Sequence, residues 1–160
     1  PYVSRGLAIM GGVAGGSRVT TPLSGEAAKP STEHEMEIQT VLLVDDEPDI
    51  RLIAEMALGT VGGMTTLTAE SGSEGIEVAA EKQPDLIMLD VMMPGMDGHE
   101  TLERLREDER TKEIPVIFMT AKVQKSELDK LMALGAAAVV AKPFDPMTLA
   151  DEVRRLAADL

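Results

Sequence analysis

The 160-residue chain has no cysteine and no tryptophan, one tyrosine and two phenylalanines. Without thiols, disulfides and thiol chemistry are excluded, and a cytoplasmic setting is expected. With aromatics at 2%, the core must be built from Leu, Ile, Val, Met and Ala. Such a core offers no stacking platform for bases or flat cofactors. Basic residues are scarce too: 15 against 28 acidic ones, a formal net charge of −13. A chain this acidic repels nucleic acid and anionic membranes, so neither is an expected partner. No apolar run approaches the roughly 18 residues of a membrane span. The segment LAIMGGVAGG, residues 7–16, comes nearest to a signal peptide. It is short and glycine-rich, in a chain that starts at Pro1, and is read as linker or appended leader.

Hydrophobic residues make up 44% of a length that suits one domain. Residues 1–38 are rich in Gly, Ser, Thr and Pro, and TTPLSGEAAKPSTEHE reads as a flexible linker. The folded domain is expected over 39–160. Five short apolar runs predict strands: TVLLV (40–44), MTTLTA (64–69), DLIML (85–89), PVIFM (115–119) and AAVVA (137–141). Helical spacing lies between and after them. Pro48 suits a first turn, and Ile50, Ile53, Ala54, Ala57 and Leu58 share a face. Ser71–Glu74 (SGSE) is a capping box ahead of Ile76, Ala79 and Ala80. Leu102 and Leu105 mark a third helix. Leu128, Leu131 and Met132 mark a fourth, stopped by Gly135. Asp145-Pro146 is expected to cap a last helix carrying Leu149, Val153, Leu156, Ala157 and Leu160. Five strands alternate with five helices, and most strands are apolar on both faces. That predicts a doubly wound α/β fold, a parallel sheet covered by helices on both sides.

In such a sheet, ligands gather at the carboxyl ends of the strands. Asp45-Asp46 end the first strand, Asp90 the third, Thr120-Ala121 the fourth and Lys142-Pro143 the fifth. Three carboxylates, a hydroxyl and an ammonium therefore converge. Two carboxylates about 4 Å apart repel by roughly 4 kcal/mol at an effective dielectric near 20. One lysine cannot balance three of them, so a divalent cation is expected. All-oxygen ligation points to Mg²⁺, with Mn²⁺ as a substitute. Mg²⁺ commonly shares its shell with phosphate, which gives Lys142 and Thr120 phosphoryl oxygens to contact. Asp90 is then the natural nucleophile, through an aspartyl phosphate. The eleven methionines read as core filler. His34 and His99 have no partner in sequence and receive no function. Lys122, Lys125 and Lys130 read as a solvated face or a partner contact.

VDDEPDIR, LIMLDVMMPGMDG, VIFMTA and AAAVVAKPF, in this order, resemble the receiver domain of bacterial two-component response regulators. The resemblance runs from about Gln39 to Leu160. It implies a CheY-like five-stranded parallel sheet of order 2-1-3-4-5. It also implies that Asp45 and Asp46 bind Mg²⁺, helped by Asp90 and the backbone carbonyl of Met92. Asp90 would accept a phosphoryl group from a histidine kinase or histidine phosphotransfer protein. Thr120 and Lys142 would contact that group, and the face of the fourth helix, fifth strand and fifth helix would signal to a downstream protein. The chain would thus be a phosphoacceptor assisting its own phosphorylation and dephosphorylation, not an enzyme acting on others. Two positions depart from the common pattern. Val139 stands where the family often has Tyr or Phe, so no ring can swing there. Met92 cannot hydrogen-bond an attacking water.

Other classes fit less well. A haloacid-dehalogenase phosphatase needs a second Asp two residues after the nucleophile, where this chain has Met92. A flavodoxin-like FMN carrier needs a Ser/Thr/Gly-rich phosphate loop, where this chain has DDEPD. A receiver module within a hybrid histidine kinase remains the nearer alternative, with residues 1–38 as the end of its linker. No DNA-binding module follows Leu160, so the chain itself is not expected to be a complete transcription factor.

Overall fold

The computed structural model describes residues 37–160. The leader read over 1–38, with His34, lies outside the described residues apart from Glu37 and Ile38. Ile38 is buried in the core. The strands are β1 (Thr40–Val44), β2 (Thr65–Ala69), β3 (Leu86–Asp90), β4 (Val116–Thr120) and β5 (Ala138–Ala141). They form one sheet of order β2-β1-β3-β4-β5, and every pairing is parallel. The helices are α1 (Pro48–Glu55), α2 (Gly72–Lys82), α3 (Gly98–Glu107), α4 (Lys125–Ala133) and α5 (Leu149–Ala158).

The apolar runs divide by the two-residue period of a strand. Val41, Leu43, Met88, Ile117 and Met119 face one side, where Ala54, Leu58, Leu149 and Val153 of the α1 and α5 layer meet them. Leu42, Val44, Ile87, Leu89 and Phe118 face the other, against Ala79, Leu102, Leu105 and Leu131 of α2, α3 and α4. Each fully buried side chain of this kind contributes about 1.5–3 kcal/mol. Register is therefore fixed from both faces, because a one-residue slip would reverse them together. Asp85 adds a polar clamp: its carboxylate accepts from the Gln39 and Thr40 N–H groups, at 3.0 and 2.9 Å.

Several local readings shift. The inner face of α1 and of the turn that continues it is centred on Ala54, Ala57 and Leu58, which leaves Ile53 on the flank, 40% exposed. After Glu55 the helix continues as a π-helical stretch, Met56–Val61. It ends where Gly62 meets α5: a Cβ there would lie 2.5 Å from the Ala150 Cβ. At α2, Ser71 caps the Glu74 N–H as expected, but the Glu74 carboxylate accepts from Glu70 N–H rather than from Ser71. Asp145 does not cap α5. Its carboxylate accepts from Met147 N–H in a preceding turn, and the helix begins at Leu149. Met132 and Leu160, expected on buried faces, are exposed. Gly135 ends the α4 segment at φ +97°, as its position suggested.

Candidate functional site

Parallel pairing sets the carboxyl ends of β1 and β3 side by side, since Val44 pairs with Leu89. The next residues are Asp45, fully buried, and Asp90, 4% exposed. Burying carboxylates is costly unless they are paired and hydrogen-bonded. Asp45 is well held: one oxygen accepts from Glu47 N–H at 2.9 Å, the other from Lys142 Nζ at 2.6 Å. Lys142 also reaches Asp90 Oδ1 at 3.2 Å. Asp90 Oδ1 accepts from Met92 N–H at 3.3 Å as well. The Lys142-Pro143 peptide is cis.

Asp46 completes the cluster. Oxygens of Asp45, Asp46 and Asp90 all lie within 4.8 Å of one another. Asp46 Oδ1 is buried and has no hydrogen-bond partner. An orphaned buried acceptor costs about 1–3 kcal/mol, more when charged. The triad can bind a metal ion. A hard cation fits this donor set, because it would satisfy that oxygen and offset the excess charge of three carboxylates facing one ammonium.

The cluster shifts its own titration. Burial first, then the neighbouring Asp45 charge, pushes the Asp90 carboxyl up to about 6, despite the opposing Lys142 charge and its hydrogen bonds. Burial alone would lower the Lys142 ammonium. Its hydrogen bond to Asp45 and the charges of Asp45 and Asp90 outweigh burial and hold it above its usual range.

Thr120, 4% exposed, ends β4, the strand beside β3. Its hydroxyl oxygen accepts from Lys122 N–H at 3.0 Å. Met92, two residues past Asp90, projects outward and is 64% exposed. Both line a cavity of about 580 Å³, with Met93, Pro94, Lys122 and Leu131 among its other walls. The structure thus gathers Asp45, Asp46, Asp90 and Lys142 into one cluster, and sets Thr120 and Met92 on the cavity beside it.

Two positions escaped the sequence reading. Arg51 donates to the Asp45 backbone carbonyl at 2.7 Å and lies 3.9 Å from Glu70, tying α1 and the end of β2 to the acidic pair. Nothing in one sequence distinguishes this arginine from a solvated one. Gly98 brings the start of α3 onto β3, its N–H donating to Val91 O at 2.9 Å. A Cβ at 98 would sit 2.4 Å from the Asp90 carbonyl oxygen. Here the signal was present in MDG: Asp97 caps α3 by accepting from Glu100 N–H, and the glycine follows it. His99 lines the cavity too, with Nδ1 3.9 Å from Asp97 and its ring 6.1 Å from that of Phe118.

Comparison with known proteins agrees with this geometry. The family model of the response regulator receiver domain matches residues 41–154. The phosphate regulon transcriptional regulatory protein PhoB of Pseudomonas aeruginosa is 40% identical over 122 residues, 76% of this chain and 52% of that protein. Response regulator Rre1 of Synechocystis is 36% identical over 119 residues, 74% of this chain and 52% of that protein. The chain thus spans about half the length of these curated relatives. Among solved structures, Vibrio cholerae chemotaxis protein CheY4 superposes with a TM-score of 0.69 at 31% identity, covering 75% of this chain and 99% of that one. Among the described residues, no helix is long and apolar enough to cross a membrane.

Proposed function

The chain belongs to the response regulator receiver family, and from that premise we propose that it is a signalling switch whose phosphoacceptor is Asp90. A receiver is a phosphoacceptor module rather than a true enzyme, and it implies a histidine kinase as partner. The observation that carries the reading is the setting of Asp90. It is a buried carboxylate at the end of a central strand, held between a second carboxylate and a lysine.

Asp45, Asp46 and Asp90, with the Met92 carbonyl, would hold Mg²⁺, or Mn²⁺ in its place. When bound, the ion supplies positive charge against the carboxylates and the incoming phosphoryl oxygens. In the transfer, an Asp90 oxygen forms a bond to phosphorus. The bond from phosphorus to the donor's imidazole nitrogen breaks, and its electron pair stays on that nitrogen. Lys142 offsets charge on the phosphoryl oxygens, and the Thr120 hydroxyl donates to one of them. The donor is a histidine kinase or a histidine phosphotransfer protein. Because Thr120 also accepts from Lys122 N–H, a displacement of Thr120 pulls on the loop leading into α4. We place the readout on the α4-β5-α5 face, where a downstream protein binds, and the switch in the cytoplasm, where phosphoryl donors made from ATP are found. The folded domain, set at 39–160, contacts neither nucleic acid nor membrane in this reading.

Intact mass after incubation with acetyl phosphate and Mg²⁺ tests the assignment. One phosphoryl group adds about 80 Da to the wild type. Asp90→Asn should show no gain, and labelling retained in that variant would overturn the proposal.

A further inference from the structure

Every polar atom of Asp45 is engaged. Its N–H donates to Ala69 O at 3.1 Å. Its carboxylate accepts from Glu47 N–H and from the Lys142 ammonium. Its carbonyl accepts from Arg51 Nη1 at 2.7 Å, a short bond assisted by the arginine's charge. That last contact reaches Asp46 as well, because the Asp45 carbonyl and the Asp46 N–H belong to one planar peptide. Holding the carbonyl therefore fixes the plane from which the Asp46 side chain departs. Other restraints on this turn are few. The α1 helix begins at Pro48 with no side-chain cap. Asp46 Oδ1 is buried without a hydrogen-bond partner, so no contact at that oxygen aims it.

Arg51 has the shape for this task. Its side chain is 19% exposed, and Nη2 lies 3.9 Å from the carboxylate of Glu70, just past the end of β2. Glu70 N–H in turn donates to the Glu74 carboxylate at 2.9 Å. The planar fork thus spans from the β1–α1 turn to the β2–α2 turn, a reach that the point charge of a lysine does not copy. Its charge acts in the opposite sense. A guanidinium bonded to the backbone of one of these acids repels any cation they hold. Geometry and charge therefore pull in opposite directions on a metal in this pocket.

We propose that Arg51 is a positioning residue for the divalent cation: by holding the Asp45 carbonyl it aims the Asp46 carboxylate into the pocket and raises the affinity for Mg²⁺. The proposal rests on the reading of Asp45, Asp46 and Asp90 as the metal site. Arg51 acts through the backbone of a ligand and needs no contact with the ion. If its charge decided the matter, neutralising it would tighten Mg²⁺ binding. Loss of positioning loosens binding instead, so the sign of the change separates the two.

The test is a Mg²⁺ titration of the full chain at fixed ionic strength, read from amide NMR shifts, with melting profiles in EDTA. Wild type, Arg51→Met, Arg51→Lys and Asp46→Ala are compared. Arg51→Met keeps an unbranched side chain and loses every donor. Its dissociation constant for Mg²⁺ should rise about tenfold, the lower end of what the partners of metal ligands contribute. Arg51→Lys keeps the charge and a single donor group, and should bind more tightly than Arg51→Met but more weakly than wild type. A folded Arg51→Met that binds Mg²⁺ as tightly as wild type, or more tightly, would overturn the proposal, since the arginine would then only brace α1. Should Arg51→Met be unfolded in EDTA, Arg51→Lys decides alone, and wild-type affinity in that variant is the overturning result. Equal binding by wild type and Asp46→Ala would instead overturn the metal reading beneath it.

Discussion

Asp90 is an acid held where its charged form is disfavoured, and that has a measurable cost. Its carboxyl is pushed up to about 6 from the ordinary 3.8, chiefly by burial and then by Asp45. Between those two pH values the folded protein binds more protons than the unfolded chain. The group's contribution to stability is therefore full below about pH 4 and is lost as pH rises through about 6. Asp90→Asn removes this term. In EDTA at pH 7.5 the variant should be more stable than wild type by roughly 1–3 kcal/mol. The gap should close as pH falls from 6 to 4. Urea denaturation at several pH values measures it, and a variant no more stable than wild type at pH 7.5 would contradict the electrostatic picture. Lys142→Ala runs the other way. It leaves two buried carboxylates without their ammonium, a loss of about 3–5 kcal/mol for a broken buried pair. Its urea midpoint at pH 7.5 should drop accordingly.

At the scale of elements, the site depends on how closely strands and helix ends approach. Gly98→Ala would drive a Cβ against the Asp90 carbonyl, at 2.4 Å, so the start of α3 must retreat. Overpacking of this kind costs about 1–3 kcal/mol. The thermal midpoint should fall, and phosphorylation should slow because β3 presents Asp90 from a shifted backbone. The Thr120–Lys122 hydrogen bond gives a second expectation. Thr120→Ala should still be phosphorylated, but amide shift changes across 120–142 should shrink. With Val139 half-buried in the core, no ring can move there, so in the proposed switch backbone motion of the 120–125 loop should carry the change. Identical shift changes in both proteins would disprove the coupling. The elements most legible in sequence were those set by burial on both sheet faces. DLIML and PVIFM read as strands, one residue ahead of β3 and β4, because little else suits such runs. Asp45, Asp46, Asp90 and Lys142 were legible because a parallel sheet brings its strand ends to one edge. Asp145-Pro146 misled because an Asx turn and a helix cap share the same signature. The π-helical stretch ends at Gly62, whose close approach to Ala150, 88 positions away, no local pattern records. Arg51 was missed for the same reason, since its partners are a backbone carbonyl and the end of another strand.

For the whole molecule, the acidic cluster couples stability to ion binding. The formal net charge is −13, and three of its carboxylates are crowded into one pocket. Folding assembles that pocket, while the unfolded chain scatters its ligands. A cation that binds only the folded form must therefore stabilise it, by about 2.7 kcal/mol at a hundred times its dissociation constant. Monovalent salt also screens the general repulsion, but over a Debye length of about 10 Å at 0.1 M and without choosing among carboxylates. Asp46 separates the two effects. Among the described residues its Oδ1 is a buried oxygen without a partner, so a bound ion would satisfy it. Asp46→Ala should fold normally and gain a little stability in EDTA, since one repulsive charge is gone. Adding Mg²⁺ at fixed ionic strength should raise the wild-type melting temperature by several degrees and leave that of Asp46→Ala nearly unchanged. Calcium and sodium matched for ionic strength serve as controls. An equal rise in both proteins would mean that Mg²⁺ acts on the general charge rather than at this pocket, and the metal assignment would fail.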